Sequence, residues 1–254
     1  MIKRLLIRKA RKEQVDERQR VIESEQIYFI EDISKDYHCS DGVFKQEDLK
    51  KTEGKIKSSK GKEFNIIEAS FIDSFKGIRK LAQTMPLKDL GFILAEIGIG
   101  KDSVVVDAGS GSGAAACFFA GYAKKVYSFD VSERNLEQAK KNAEYFGIKN
   151  ITFRKADAYE ELPAKDADLI LLDLPEPWNA VDALQKALKP GGFVIAYCPQ
   201  ITQAQRFVNA AGDFLHLKTV EIIERDWKIE GQIVRPKSLS NIHSGFITVV
   251  RKIT

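Results

Sequence analysis

Residues 104–113 read Val-Val-Val-Asp-Ala-Gly-Ser-Gly-Ser-Gly. A β-branched run ends in an acid, then breaks into glycines at alternate positions: Gly109, Gly111 and Gly113. The small residues Ala114, Ala115 and Ala116 follow and favour a helix. A strand, a tight turn and a helix start in that order bring bare backbone N–H groups close to a ligand. The dinucleotide fingerprint spaces its glycines G-x-G-x-x-G, which leaves room for a pyrophosphate on the helix N-terminus. Here the spacing is G-x-G-x-G, with Asp107 ahead of it. An acid at the strand end repels a pyrophosphate and suits an ammonium group.

A nucleoside carrying a cationic amino acid fits that arrangement, which points to S-adenosylmethionine. Three further acids stand at predicted strand ends or in the turns after them: Asp130, Asp157 and Asp173. Asp130 lies near the offset of roughly twenty residues at which an acid meets ribose hydroxyls. Its carboxylate is expected to accept from both hydroxyls of the diol, and Asp157 from an adenine amino group. Nicotinamide-dependent dehydrogenation would predict the longer glycine spacing and a separate substrate domain after the nucleotide fold, and neither is visible. Residues 172–178 read Leu-Asp-Leu-Pro-Glu-Pro-Trp. Two prolines directly after a buried strand fix an extended exit from the sheet. That exit holds Asp173 toward the cofactor and presents Glu176 and Trp178 at the mouth.

The elements that must position these groups follow a β/α rhythm from Pro86 onward. Leu87, Leu90, Leu94 and Ile97 share one helix face, with Pro86 at its start. Strands are predicted at 103–107, 125–130, 151–155, 168–173, 192–198, 217–225 and 244–251. Helices are predicted at 113–123, 132–146, 178–188 and 200–214. Alternation of this kind predicts an α/β fold with a doubly wound, seven-stranded, Rossmann-like sheet, which resembles the class I methyltransferase arrangement. Ahead of it, residues 26–72 alternate short apolar stretches with turn signals and read as a small β-module, and 73–83 as a helical linker. Residues 1–25 are read as a basic lead segment, its first 20 residues disordered or helical at the end, and 73–254 as the catalytic domain.

The chain of 254 residues is 44% hydrophobic, ample for a core. It has no apolar run long enough to span a membrane, and its basic start lacks the apolar stretch of a signal peptide. Cys39, Cys117 and Cys198 are odd in number and widely spaced, which predicts neither disulfides nor a metal cluster and suits a reducing cytoplasm. Net charge is +4. Residues 1–85 hold 19 Lys/Arg against 15 Asp/Glu, while the remainder is balanced at 21 each. A local basic excess suits contact with a phosphate backbone.

The chain resembles the tRNA (adenine-N1) methyltransferases that modify adenine 58 of the T-loop, whose archaeal members also act on adenine 57. The resemblance runs from about Ile27 to the C-terminus. It rests on Asp41-Gly42, residues 57–64, Gln83 to Asp89, residues 108–113, Asp173 to Trp178, Arg235-Pro236 and His243 to Phe246. It implies a homotetramer acting on tRNA, without metal or membrane, and a small β-module ahead of the catalytic domain. It implies a catalytic role for Asp173 and cofactor contacts from Met85, Gly109, Ser110, Gly111, Ser112, Gly113, Asp130, Asn135, Asp157, Ala158 and Asp173. Pro175, Trp178, Gln203 and His243 are expected to line the substrate mouth, with a hydrogen-bonded structural role competing at His243. Asp130 stands where the family usually has Glu, and Met85 to Asp89 matches its segment loosely. A methyltransferase of the same fold acting on a protein or small molecule is the alternative. A non-catalytic tRNA-binding subunit is another, though it would be expected to lose the glycines or the acids kept here.

Overall fold

The computed structural model describes residues 1–15, 18–81, 83–230, 233–238 and 243–254. The chain divides into two compact units, Met1–Ile78 and Arg79–Thr254.

The first unit holds strands β1 (Arg4–Arg8), β2 (Arg11–Val15), β3 (Arg18–Glu23), β4 (Gln26–Ile30), β5 (Tyr37–Cys39), β6 (Gly42–Phe44), β7 (Glu53–Lys57) and β8 (Glu63–Glu68), with short helices α1 (Gln46–Leu49) and α2 (Phe71–Lys76). Its main sheet is antiparallel in the order β4-β1-β8-β7. The lead segment therefore differs from its expected form. β1 is a central strand, and Leu5 and Leu6 are buried in it, because a Leu-Leu-Ile run between arginines has two pairing partners to cover it. Strands β2 and β3 form a hairpin beyond it; Asp16 and Glu17 of the lead lie outside the described residues. Leu6, Ile30, Phe44, Leu49, Ile56, Phe64 and Ile66 form one core, with Phe44 and Phe64 edge to face at 5.2 Å. The expected linker helix starts earlier and is shorter: Ser70 and Asp73 form a capping box at the start of α2, and Gly77 ends it. Ala82, also in that predicted linker, lies outside the described residues.

The second unit opens with α3 (Leu87–Ile97) and alternates through β9 (Val104–Ala108), α4 (Ala114–Ala120), β10 (Lys125–Asp130), α5 (Glu133–Phe146), β11 (Ile151–Lys155) and β12 (Ala167–Leu172). A 3-10 turn at Pro177–Ala180 leads into α6 (Val181–Ala187), β13 (Leu188–Cys198), α7 (Ile201–Ala210) and β14 (Phe214–Glu221). The hairpin β15 (Trp227–Glu230) and β16 (Ile233–Pro236) precedes the last strand, β17 (Phe246–Lys252). The seven-stranded sheet has the order β11-β10-β9-β12-β13-β17-β14. All strands run parallel except β17, which is antiparallel to both its neighbours. A hairpin rather than a crossover helix joins β14 to β17, so the chain returns in the opposite sense.

The central strands β9, β12 and β13 are apolar runs buried on both faces, as parallel strands must be. Leu169 to Leu172 are fully buried. Burial of one such side chain is worth roughly 1.5–3 kcal/mol. After β9 the chain winds out through β10 to β11, then jumps back to place β12 on the other side of β9. That reversal opens a crevice beyond the carboxyl ends of β9 and β12, where open α/β sheets take their ligands.

Candidate active site

The glycine turn lies in that crevice. Gly109 has φ +97° and Gly113 φ +75°, conformations that L side chains rarely adopt. A Cβ on Gly109 would lie 2.3 Å from the Asp173 carbonyl oxygen, and one on Gly113 2.8 Å from the Ala139 Cβ. The first glycine thus lets the loop touch the exit of β12, and the third lets α4 pack on α5. At Gly111 an added Cβ would meet only open space, its nearest neighbour lying 4.0 Å away. The N–H groups of Gly109 and Ser110 both bond the Phe129 carbonyl at 2.9 Å, that of Gly111 the Asp130 Oδ2 at 2.9 Å, and that of Gly113 the Ser110 carbonyl at 2.6 Å. The loop therefore admits a ligand by lacking side chains. Most of its donors are engaged inside the protein, which removes the nest a pyrophosphate needs and leaves room for a nucleoside.

The acids converge on this loop. Asp107 is buried at 1% exposure and accepts from the Ser128 hydroxyl at 2.8 Å, and Ser128 in turn meets Ser110 at 2.6 Å. Burial pushes the Asp107 carboxyl up to about 7, with the charges of Asp173 and Asp130 adding to the shift against the Ser128 hydrogen bond. Asp130 braces the turn. It accepts from the N–H of Gly111 and Ser132 and from the Asn135 Nδ2 at 2.9, 2.8 and 3.1 Å. A carboxylate offers about four acceptor positions, so about one remains for a ribose hydroxyl rather than the two expected. Asn135 thus acts through Asp130. Asp157 caps the turn after β11 through the Tyr159 N–H at 2.9 Å, beside the buried Ala158.

Asp173 follows β12 directly, and its N–H is bonded to the Ala108 carbonyl at 2.9 Å. Its side chain is open to solvent, yet desolvation by the surrounding protein raises its carboxyl to about 6. A group at the floor of an open cleft has both properties. The proline-rich exit is braced from two sides. The Gln203 amide donates to the Pro175 carbonyl at 3.0 Å, and the Glu176 N–H donates to the Tyr159 hydroxyl at 3.1 Å. Arg206 stacks over the half-buried Trp178 at 5.3 Å. Gln203 is thereby a brace for the mouth, with its other amide atom accepting from the Gln200 N–H at the start of α7.

His243 is placed differently from the other mouth residues. Its Nδ1 lies 2.5 Å from Glu221 and its Nε2 2.9 Å from the Pro199 carbonyl. Two acceptors on one ring favour the imidazolium, and its pKa is raised, first by Glu221. Both ring nitrogens are engaged within the protein. His243 pins the start of β17 to the ends of β13 and β14. Met85 is buried just ahead of α3. Ser112 holds the adjoining segment, accepting from the Leu81 N–H at 3.0 Å while its carbonyl takes the Asn142 amide at 2.8 Å.

Some residues carry more than their sequence signal announced. Asp89 is fully buried and takes Lys88 at 2.8 Å, the Tyr197 hydroxyl at 3.0 Å and the Ser244 hydroxyl at 2.7 Å. This cluster ties α3 to the ends of β13 and β17. Lys88 and Asp89 look like an ordinary surface pair in the sequence, and only the fold shows them covered. Val131, directly after Asp130, is an apolar residue left 61% exposed. Among the described residues no group of His, Cys, Asp or Glu could hold a metal ion.

Known proteins share both the sequence pattern and the architecture. The family model described as tRNA methyltransferase complex GCD14 subunit matches residues 78–245. A protein of Methanocaldococcus jannaschii, tRNA (adenine(57)-N(1)/adenine(58)-N(1))-methyltransferase TrmI, is 33% identical over 83% of this chain and 86% of its own length. A tRNA (adenine(58)-N(1))-methyltransferase TrmI of Thermus thermophilus is 28% identical over 78% of this chain and 81% of its own. Among solved structures, a SAM-dependent O-methyltransferase from Thermotoga maritima superposes with a TM-score of 0.81 at 25% identity, covering 99% of this chain and 93% of that one. The tRNA (m1A58) methyltransferase TrmI of Aquifex aeolicus shares the fold with a TM-score of 0.75 at 21% identity, over 99% and 97%. The fold is that of the SAM-dependent methyltransferases, and by the match over most of its second unit the chain belongs to the GCD14 family of tRNA methyltransferase subunits.

Proposed function

We propose that this protein transfers the methyl group of S-adenosylmethionine to N1 of an adenine in the T-loop of tRNA, at position 58 or at both 57 and 58. The observation that carries the reading is Asp173. It is an acid with a raised pKa at the floor of the crevice, within reach of the glycine loop and directly followed by a braced, proline-fixed exit. The residues fit the cofactor. Gly111 leaves open space, the donors a pyrophosphate needs are engaged, and carboxylates line the crevice. Asp130 keeps an acceptor for a ribose hydroxyl, and Val131 offers an apolar wall for an adenine ring. Met85, Asp157 and Ala158 are proposed as further cofactor contacts.

When bound, S-adenosylmethionine supplies an electrophilic methyl on a cationic sulfur. N1 of adenine is buried by pairing in folded RNA, so the base must be flipped into the crevice to reach it. Pro175 and Trp178 then line the mouth through which the base enters. Asp173 accepts a hydrogen bond from N6 and turns N1 toward the methyl, so that much of the acceleration comes from positioning. As positive charge develops on the base, the Asp173 carboxylate stabilises it and can take the N6 proton.

The first unit is proposed to hold the body of the tRNA. A homotetramer and a cytoplasmic place of action belong to the same reading, supported by the family resemblance and by three free cysteines. No helix among the described residues is long and apolar enough to cross a membrane. Incubation with labelled S-adenosylmethionine and, separately, bulk tRNA, total protein and a small-molecule extract tests the acceptor. Label in tRNA supports the reading; label only in protein or small molecules replaces it with the other acceptor class.

A further inference from the structure

The two ring nitrogens of His243 both face groups that only accept hydrogen bonds. Nδ1 lies 2.5 Å from the Glu221 carboxylate, and Nε2 lies 2.9 Å from the Pro199 carbonyl. A neutral imidazole carries one N–H and serves one of these acceptors; the imidazolium carries two and serves both. The ring is half exposed, so solvent exchanges protons with it freely. The groups around it come from four elements. Glu221 lies on β14, the Pro199 carbonyl follows β13, and the Phe246 ring of β17 packs 5.0 Å away. Lys88 of α3 opposes the imidazolium charge and is itself matched by Asp89 at 2.8 Å. Lys88 also donates to the Ile222 carbonyl, next to Glu221, and to the Ser244 hydroxyl, next to His243. Those bonds hold both neighbours whatever the charge on the ring. Pro199 opens the turn into α7. The following N–H, of Gln200, donates to the Gln203 side chain at 3.1 Å, and the Gln203 amide donates to the Pro175 carbonyl at 3.0 Å. One turn further along α7, Arg206 stacks over Trp178. The carbonyl that His243 holds is thus joined to the proline-rich exit through the first turn of α7.

We propose that His243, as the imidazolium, is a positioning residue for the substrate mouth: it fixes the turn into α7 and, through Gln203, the exit beyond Asp173, and it releases that turn when it gives up its proton. This rests on the exit being the mouth through which the acceptor base enters. The proton leaves to solvent, and no covalent bond besides that N–H changes. The N–H that remains stays toward Glu221, because a charged acceptor holds it more strongly than a carbonyl does. Nε2 then turns a lone pair to the Pro199 oxygen 2.9 Å away, and the two repel. Lys88 holds the neighbours of His243 and Glu221, so Pro199 is the side that yields. The Glu221 charge favours the imidazolium and raises the pH at which the proton leaves. The clasp is therefore closed at low pH and opens as pH rises through that raised value. The glycine loop is held separately, by Phe129 and Asp130, so cofactor binding does not depend on the clasp. Placement of the base against the methyl group does depend on it.

The chain has three histidines, so NMR of the whole protein labelled in its histidine rings follows each titration, and His243→Gln assigns the signal. The kcat/KM for methyl transfer to tRNA is measured alongside, between about pH 6 and pH 9, the span in which a histidine with a carboxylate partner titrates. It is expected to fall about tenfold as His243 loses its proton, with S-adenosylmethionine affinity constant within about twofold. His243→Gln is expected to stay at the lower level throughout and to show no fall. Glu221→Gln keeps an acceptor and removes its charge, so the His243 midpoint and the fall are expected to move together to lower pH by about one unit. If a variant does not fold, agreement between midpoint and fall in the unaltered protein decides. No fall, a fall that misses the His243 midpoint, or an equal loss of cofactor affinity overturns the inference and leaves methyl transfer to tRNA standing. No transfer to tRNA at any pH, from protein that binds the cofactor, overturns both.

Discussion

Asp173 is anchored by its own N–H to the neighbouring strand, and the protein walls of the cleft into which it opens raise its carboxyl to about 6. Asp173→Ala is expected to keep cofactor affinity within a few-fold and to lower methyl transfer at least about a hundredfold, the typical scale for a proton-handling group. Equilibrium binding and single-turnover rates on the same preparation check both halves. The working form is the carboxylate, so kcat/KM rises with pH and levels off above about 6, and Asp173→Asn abolishes the rise. Asp107 carries a stability consequence of opposite sign to a paired acid. Its pKa is raised on folding, so the folded state binds the proton more tightly than the unfolded chain, and stability declines as pH rises through about 7. Asp107→Asn is expected to raise the unfolding temperature of the cofactor-free protein by several degrees at pH 8 and little at pH 5. Melting curves at the two pH values read this directly. The place of Asp173 was legible from sequence because an apolar run, an acid and two prolines mark a buried strand and its fixed exit. Ser128 was not, since one serine inside a Val-Tyr-Ser-Phe strand announces nothing until Asp107 lies opposite it.

The glycine loop shows how an element sets a site. Gly109→Ala places a Cβ against the Asp173 carbonyl in a left-handed conformation, so the loop and the β12 exit must part. Loss of tenfold or more in cofactor affinity together with activity is expected, read by titration. Gly111→Ala meets open space and carries only backbone strain, so its loss is smaller unless the ligand occupies that space. The alternation of strands and helices from Pro86 was readable because buried parallel strands are short apolar runs bounded by turns. The boundaries were less so. Helix 178–188 resolves into a 3-10 turn and α6, since Pro177 admits a turn and withholds an N–H. β13 starts at Leu188, earlier than the Pro-Gly-Gly signal implied, because its partner β12 recruits residues on both sides of an irregular register. The loop's tight turn was legible in spacing, but its internally engaged donors were not, since those depend on where Phe129 and Asp130 fall in the adjacent strand.

Across the whole molecule, the acids around the glycine loop all belong to the second unit, Arg79–Thr254. Removing residues 1–78 follows the observed division, whereas a cut at residue 65 would sever β8 in mid-strand. The shortened protein is expected to retain S-adenosylmethionine binding and to bind tRNA more weakly, with a flatter dependence on salt as phosphate contacts are lost. Filter binding at several salt concentrations measures the tRNA half, and equilibrium titration the cofactor half. The two-unit plan could be read from composition and turn spacing, but the place of the lead segment could not. Charges flanking Leu5 and Leu6 suggested an exposed tail, and only the pairing of β1 with β4 and β8 explains why those leucines are covered. The central claim is that this molecule methylates N1 of a T-loop adenine. Its most direct test is mass spectrometry of nuclease fragments from unmodified tRNA incubated with the purified protein and S-adenosylmethionine. The account predicts added methyl on the T-loop fragment, released as 1-methyladenosine from position 58 or from 57 and 58. A methyl group on another base or another arm of the tRNA, or unmodified tRNA from protein that binds the cofactor, would contradict it.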